Sequence, residues 1–308
     1  MQIPDILRKK IVRCFGPQGE EWLQQLPQSF QGCVEKWRLT DIQVSPVLSF
    51  NYVCFAKSPE YGDVALRIGV PLDVELQAEM TAIRLYQGKN ICRCFDLDVS
   101  LGAMLLERIR PGHDLTTIAS SSERIAIAAR LTSQLPLPIL DSHGLPRWSV
   151  LARRTFGKLQ ASNTGGEQML KLTERAEELI CQLETSGRQP VLLHGDLNHW
   201  NILQDIHGQW KAIDPKGQVG VACMEAGRFI LNELDIAQPQ NSRQLLDQIT
   251  SVFAPAFREP EHIIALCAFL DKALNTSWKF EEHEVRDCAG DVAQLQFIYD
   301  YYLTKRNQ

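Results

Sequence analysis

The feature that most constrains this chain is the stretch from residue 192 to residue 217, which reads LLHGDLNHWNILQDIHGQWKAIDPKG. It contains two short apolar runs, at residues 201–203 and 210–213, separated by the turn residues 205–208. Two apolar runs joined by a polar turn that ends in glycine predict a β-hairpin. Such a hairpin brings Asp214, which follows the second run, beside Asn201, which begins the first.

Three polar side chains around this hairpin suit phosphoryl transfer. Asp196 and Asn201 share the loop before the hairpin, five positions apart, and Asp214 follows it. A carboxylate can accept the proton of a hydroxyl group, and two oxygen ligands can hold Mg²⁺ against the phosphates of a nucleotide. Protein kinases space these groups as H-R-D, four residues and Asn, with the metal-binding Asp following in D-F-G. The run from His194 to Asn201 has the same spacing.

The H-G-D form of the loop, followed by Ile213-Asp214-Pro215-Lys216-Gly217 and then by Glu225-Ala226-Gly227-Arg228-Phe229, resembles the aminoglycoside/hydroxyurea antibiotic resistance kinases of the streptomycin 6-phosphotransferase group. The resemblance covers most of residues 40–305. It implies an α+β, bilobal, protein-kinase-like fold, with a small antiparallel-sheet lobe at residues 1–108 and a mainly helical lobe at 109–308. It also implies a kinase that uses ATP and Mg²⁺ and phosphorylates a hydroxyl of a cationic acceptor such as streptomycin. Hydroxyurea is the alternative acceptor.

Residue roles follow from this resemblance. Asp196 is expected to act as the base, and Asn201 and Asp214 to hold Mg²⁺, while His194 braces the loop. Arg67 stands on the third strand where the family usually carries lysine, so it is expected to contact phosphate, with Glu79 fixing it. Arginine prefers planar, two-pronged contacts, so this replacement is not conservative. It leaves two readings open, a working kinase with altered phosphate geometry and a nucleotide-binding protein that catalyses poorly.

Residues 105–112 resemble the family's inter-lobe hinge, which implies that Glu107 and Ile109 lie on an extended segment whose backbone can read the adenine edge. Taken alone, the sequence here shows only a strand followed by a turn. No phosphate-binding glycine fingerprint is present, and the turn at residues 45–49 lacks glycine altogether. The nucleotide assignment therefore depends on Arg67, Glu79 and this hinge.

The remaining pattern predicts the order of the elements. A helix over residues 3–26, interrupted at 16–19 and stopped near Pro27, precedes strands at 37–44, 50–56 and 64–68, a helix at 73–87, and strands at 91–97 and 103–108. Helices then follow at 113–135 with Asp114 as N-cap, and at 146–160, 167–185, 223–234, 242–253, 261–277 and 285–303.

Charge is placed unevenly along the chain. The formal net charge is −5, and residues 219–308 contain 13 acidic and 8 basic side chains, so the acidic surplus lies downstream of the loop. One interpretation is a cleft that attracts a cationic acceptor, with Glu225, Glu233 and Asp235 as candidate contacts; the other is a set of ordinary solvated helix surfaces. Nucleic acid is not expected as a partner, because no basic stripe with interleaved aromatic residues occurs.

Other classes of protein fit less well. No run of 18 apolar residues is present, so no membrane span is expected, and the N-terminus reads as an amphipathic helix and not as a signal peptide. Nine scattered cysteines favour reduced thiols in the cytoplasm. A metal-dependent hydrolase is a separate hypothesis, since His194, Asp196 and His199 are possible zinc ligands. Such a hydrolase would act without ATP.

Overall fold

A computed structural model describes residues 3–162, 165–238, 240–281 and 288–308. The chain divides into two compact units, residues 1–112 and residues 113–308. In the part of the chain that is described, no helix is both long and apolar enough to span a membrane. All nine cysteines are free thiols.

The first unit opens with a long helix, α1 (Asp5–Lys36), which is interrupted at Gly16 (φ 54°, ψ −133°). The predicted break at residues 16–19 is therefore confirmed. The predicted stop at Pro27 is wrong, because the helix continues for nine more residues. Proline removes one backbone donor and costs about 3 kcal/mol inside a helix, but the helix buries Trp22, Leu26 and Cys33 in the core of this unit. This packing offsets the local cost.

The first unit also holds a five-stranded antiparallel sheet in the order β1-β2-β3-β5-β4. Its strands alternate buried and more exposed residues where one face packs on α1. Between β3 and β4 lies a helix, α2, whose first turn is capped by the Asp73 carboxylate, which accepts from the Glu75 N–H at 3.1 Å. The order of strands and helix is as predicted from the sequence. The bounds are β1 (Thr40–Val44), β2 (Tyr52–Ser58), β3 (Gly62–Ile68), α2 (Val74–Tyr86), β4 (Cys94–Asp98) and β5 (Ala103–Glu107).

The second unit is mainly helical, and the short strands from residue 111 onward form two three-stranded sheets, in the orders β10-β9-β6 and β11-β8-β7. The strands of these sheets frame the loop that contains Asp196. Their bounds are β6 (Pro111–Asp114), β7 (Leu137–Pro138), β8 (Val191–Leu193), β9 (Ile202–Asp205), β10 (Trp210–Ala212) and β11 (Gln218–Gly220).

Seven α-helices of this unit lie within the described residues, and α8 buries 13 of its 21 residues. The predicted helix at 113–135 needs correction, because Asp114 caps a single 3-10 turn and Ser120 caps the helix proper. Val285, the predicted start of the last helix, lies outside the described residues. The bounds are α3 (Ser121–Gln134), α4 (Trp148–Ser162), α5 (Gly166–Glu184), α6 (Glu225–Ala237), α7 (Ser242–Phe257), α8 (Glu261–Glu281) and α9 (Ala289–Arg306).

Candidate active site

The predicted hairpin is confirmed. Strands β9 and β10 pair antiparallel, with Ala212 opposite Ile202, and the Asp205 carboxylate closes the turn by accepting from the His207 and Gln209 N–H groups at 2.9 and 2.8 Å. At the open end the Ile213 N–H donates to the Asn201 carbonyl at 3.0 Å. Asp214 therefore follows directly on a residue that is bonded to Asn201.

His194 ties the loop to the strand before Asp214. The imidazole is fully buried, and its Nδ1 accepts from the Asp196 N–H at 3.3 Å. The proton therefore lies on Nε2, which donates to the Ile213 carbonyl at 2.8 Å. Burial lowers the pKa of His194 and favours this neutral form. These contacts fit a ring that holds the loop in place without taking a proton.

The loop closes on itself through two asparagines. The Asn198 side-chain oxygen accepts from the Trp200 and Asn201 N–H groups at 3.0 and 3.1 Å. Asn201 Nδ2 donates to the Asp196 carbonyl at 2.9 Å, so its Oδ1 is the atom that remains for a cation. Gly195 has a φ of +80°, and a Cβ at this position would lie 2.7 Å from Gln218 Oε1. Both observations explain why the position between His194 and Asp196 suits glycine.

Asp196, Asn201 and Ile213, the residue before Asp214, thus belong to one hydrogen-bonded assembly within the second unit. A side-chain amide oxygen and a carboxylate are hard oxygen ligands of the kind that Mg²⁺ prefers, so this donor set fits the predicted metal. Asp214 has a φ of 58°, a left-handed conformation that aspartate tolerates better than most residues. The Asp196 side chain is 27% exposed, which leaves it accessible to a substrate.

Glu225 does not sit where an acceptor could reach it. The residue is 3% exposed, and its carboxylate accepts from the His194 N–H and, at 3.4 Å, from the Gly195 N–H. Burial raises its pKa to about 8. The expectation of a substrate contact is therefore corrected: Glu225, the first residue of α6, stabilises the loop through the backbone of His194 and Gly195.

Glu233 is also withdrawn from the surface. Its fully buried carboxylate accepts two bonds from Arg124, at 2.9 and 2.6 Å, and one from Ser121 at 2.6 Å. His199 Nε2 lies 2.7 Å from the same carboxylate, and the His199 ring stacks on Phe229 at 4.5 Å. A carboxylate engaged in this way is part of the interior. The predicted acceptor contact is wrong here too, and the partner Arg124 was not anticipated.

Asp235 is the exposed member of the three predicted acidic contacts. Several other acidic side chains of this region that the structure describes are paired with partners inside the second unit. Lys305 pairs with both Asp247 and Glu261, each at 2.8 Å, and Asp291 pairs with Lys272 at 2.8 Å. For these described residues, the excess charge in the sequence is paired within the unit and is not free to form an acidic surface.

In the first unit, the structure joins Arg67 to Glu79, as predicted. Arg67 Nη1 lies 2.6 Å from Glu79 Oε1, and both side chains are largely buried. With the Asn51 amide oriented so that its oxygen faces the guanidinium, that oxygen accepts from Arg67 Nη2 at 2.7 Å and from Nε at 3.1 Å. Sequence reasoning missed Asn51, which follows the glycine-free turn and carries no motif.

The two predicted hinge residues occupy the end of β5 and the segment after it. The Glu107 N–H donates to the Arg93 carbonyl at 2.8 Å, and its carboxylate accepts from the Arg93 N–H at 3.0 Å. Ile109 is buried, with 7% of its surface exposed. Their expected contact with adenine stays a prediction.

The zinc hypothesis finds no support in this geometry. Among the described residues, no three His, Cys, Asp or Glu side chains are placed to hold one metal ion. His194 and His199 direct their Nε2 atoms at Ile213 and Glu233. The two imidazoles therefore make hydrogen bonds inside the protein at the nitrogen that a metal ion would need.

Similar proteins of known family indicate where this chain belongs. The family described as aminoglycoside/hydroxyurea antibiotic resistance kinase matches residues 68–273, more than half of the chain. The streptomycin 6-kinase of Streptomyces glaucescens is 24% identical over 223 residues, which cover 71% of each chain. The hydroxyurea phosphotransferase of Kitasatospora aureofaciens is 27% identical over 228 residues, which cover 71% of this chain and 65% of the relative.

The fold is also that of a known kinase. A solved aminoglycoside phosphotransferase, in a complex with ADP and hygromycin B, matches with a TM-score of 0.59 at 12% identity, over 88% of this chain and 97% of that one. The α+β, kinase-like fold expected from the sequence is thereby confirmed. With the family match, the loop spacing and the fold in agreement, the chain belongs to the aminoglycoside/hydroxyurea antibiotic resistance kinase family and is a phosphotransferase.

Proposed function

We propose that this enzyme transfers the γ-phosphoryl group of ATP to a hydroxyl of a small cationic molecule, with streptomycin as the first acceptor to test. The observation that carries the proposal is the hydrogen-bonded assembly that joins Asp196, Asn201 and the strand before Asp214. Phosphoryl transfer needs little covalent work from a protein, so positioned carboxylate and amide oxygens are the groups it requires.

In the proposed reaction, the acceptor oxygen bonds to the γ-phosphorus as the bond from that phosphorus to the β,γ-bridging oxygen breaks and ADP leaves. Asp196 receives the proton of the acceptor hydroxyl and later releases it to solvent. Asn201 and Asp214 hold Mg²⁺, which neutralises charge on the phosphates when bound. Arg67 contacts phosphate, and Glu79 and Asn51 keep its guanidinium oriented. Glu107 and Ile109 receive the adenine.

The choice of acceptor draws on relatives. Streptomycin 6-kinases from two Streptomyces species are 24% and 25% identical to this chain, and a hydroxyurea phosphotransferase is 27% identical. Hydroxyurea is therefore the second candidate. Asp235 is the remaining acidic candidate on α6 for a cationic group. We propose a cytoplasmic location for the enzyme, because ATP is supplied there.

The test is ADP release from Mg²⁺-ATP across a panel of aminoglycosides that includes streptomycin, together with hydroxyurea. We expect streptomycin to stimulate release. A flat response to the whole panel would remove the acceptor assignment, and tight ATP binding without ADP release would favour the poorly catalysing protein that Arg67 left open.

The assignment of the base has its own test. Asp196→Ala is expected to lower turnover by roughly 10²–10⁴, the usual range for one general base, with little change in ATP binding. Turnover within a few-fold of the wild type would contradict the role of Asp196.

A further inference from the structure

The motif Glu225-Ala226-Gly227-Arg228-Phe229 begins α6, and two of its side chains support the catalytic loop by contacts already described. Glu225 bonds the backbone of His194 and Gly195, and Phe229 stacks on His199. The role of Arg228 is not explained by either contact. Its guanidinium is the part of this motif that approaches a reacting side chain.

Arg228 lies between two carboxylates. Its Nε is 3.3 Å from Asp271 Oδ2 and 3.5 Å from Asp196 Oδ1, and its Nη2 donates to Asp271 Oδ1 at 3.3 Å. Within the described residues, the buried Nε makes no hydrogen bond of good geometry, nor does Asp271 Oδ2. Asp271 thus lies against both Nε and Nη2 of the guanidinium, and Nε is shared between Asp271 and Asp196.

Asp271 can reach Arg228 because α6 and α8 touch at Gly227. A Cβ on Gly227 would lie 2.7 Å from the Cys267 carbonyl oxygen and 2.8 Å from Asp271 Cβ. Burial raises the pKa of Asp271 and the charge of Asp196 adds to this, while Arg228 opposes both. A cation at this point therefore keeps two neighbouring carboxylates from repelling each other.

The two oxygens of Asp196 are treated differently. Arg228 Nε and Asn198 Nδ2, the latter at 3.4 Å, both approach Oδ1. Among the residues that the structure describes, no hydrogen bond or ion pair to Oδ2 is found, whereas Oδ1 has both. One oxygen is therefore anchored by the protein, and the other remains for a substrate.

We propose that Arg228 is a positioning residue for phosphoryl transfer: held by Asp271, it anchors Oδ1 of Asp196 and leaves Oδ2 to receive the proton of the acceptor hydroxyl. The inference rests on the proposed role of Asp196 as the base. In the reaction, that proton moves to Oδ2 as the acceptor oxygen bonds to the γ-phosphorus and ADP departs with the bridging oxygen. Arg228 itself exchanges no proton.

The experiment is a double-mutant cycle in the full chain, which measures ADP release with streptomycin and, separately, with water as acceptor. Arg228→Ala is expected to lower kcat by about 10²-fold, the effect of misplacing a reacting group by about 1 Å, with KM for ATP nearly unchanged. In an Asp196→Asn background the same substitution is expected to change kcat by less than about twofold, because residues that act as a unit are not additive.

Two further variants separate positioning from folding. Arg228→Lys keeps the charge without the planar fork and is expected to fold with a wild-type melting temperature while losing about tenfold in kcat. Arg154, an exposed arginine of α4 in the same unit, supplies the matched control: Arg154→Ala is expected to leave kcat unchanged. Wild-type kcat in Arg228→Lys together with a lowered melting temperature in Arg228→Ala would indicate a structural role and overturn the inference.

The outcomes distinguish this inference from the proposed function. Equal losses from Arg228→Ala in the wild-type and Asp196→Asn backgrounds would remove the inference alone. Wild-type turnover in Asp196→Asn would remove the base assignment and the inference with it. An absence of ADP release by the wild-type enzyme with both acceptors would remove the proposed function.

Discussion

Glu225 and Glu233 are two glutamates of one helix, eight positions apart, and the protein buries both in opposite electrical surroundings. Glu225 faces backbone N–H groups of the catalytic loop, whereas Glu233 faces the Arg124 guanidinium, His199 and a serine hydroxyl. Burial raises the pKa of Glu225 to about 8. Burial also disfavours the charge on Glu233, but the bonds from His199 and Arg124 outweigh it and hold the pKa at about 2.

The difference teaches that burial alone does not decide the charge of a carboxyl group. The backbone N–H dipoles of His194 and Gly195 do not compensate Glu225 for its lost hydration, whereas the full positive charge of Arg124 compensates Glu233. Both groups stabilise the same loop, one through the backbone of His194 and the other through His199. The helix therefore supports the site at two points that respond differently to pH.

The largest effect is expected from Glu233→Ala. The substitution leaves the Arg124 guanidinium buried without its counter-ion, which costs about 3–5 kcal/mol of unfolding free energy. The melting temperature should fall by on the order of 10 °C, as measured by calorimetry at pH 7.

Stability measurements at acidic pH provide the control for Glu233→Ala. The pKa of Glu233 in the folded protein is below its ordinary value of 4.5. Its contribution to the free energy of unfolding is therefore fully present above pH 4.5 and is lost as the pH falls towards 2. The stability gap between the wild type and Glu233→Ala should therefore narrow in acid. A gap of constant size from pH 7 to pH 3 would contradict the ion-pair account.

A smaller effect with the opposite pH dependence is expected from Glu225. The pKa of Glu225 in the folded protein is above its ordinary value of 4.5. Its contribution to the free energy of unfolding is therefore fully present below pH 4.5 and is lost as the pH rises through about 8. Glu225→Gln retains a neutral acceptor and should be more stable than the wild type at pH 9 by about 1–3 kcal/mol. Urea unfolding at pH 5 and pH 9 measures the change, and parallel shifts at both values would contradict it.

The smallest effect is expected from Asp235→Asn, which tests the exposed carboxylate of the same helix. Its unfolding free energy should stay within about 0.5 kcal/mol of the wild type. If the side chain contacts a cationic acceptor, KM for streptomycin should rise by about threefold at constant kcat, the scale of one exposed charge pair. An unchanged KM would end the last of the three acidic acceptor assignments.

Local patterns predicted much of this molecule. The hairpin and the spacing from His194 to Asn201 depend on neighbouring residues, and the strands of the first sheet depend on alternation, so both could be found without coordinates. Pro27 misled because its local cost is offset by packing of α1 on the sheet. Asp114 misled because a capping aspartate starts a 3-10 turn as readily as a helix.

Two of the three predicted acceptor contacts, Glu225 and Glu233, failed for a different reason. Arg124 precedes Glu233 by 109 positions, and Asp271 follows Arg228 by 43. No periodicity or composition connects residues so far apart, and an acidic count cannot distinguish a solvated carboxylate from one paired in the interior. Asn51 beside Arg67 was missed on the same grounds, because only the fold brings the two together.

The absence of a side chain at Gly227 has a mechanical consequence. A single added methyl group there would meet carbonyl oxygen and carbon on α8 at less than 3 Å, so the first turn of α6 would have to retreat as a body. Glu225, Arg228 and Phe229 would move with it, and the catalytic loop would lose its contacts with all three side chains because of one added carbon atom. A Gly227→Ala substitution would thus lower catalysis by displacing α6, although the added methyl group contacts none of the reacting side chains.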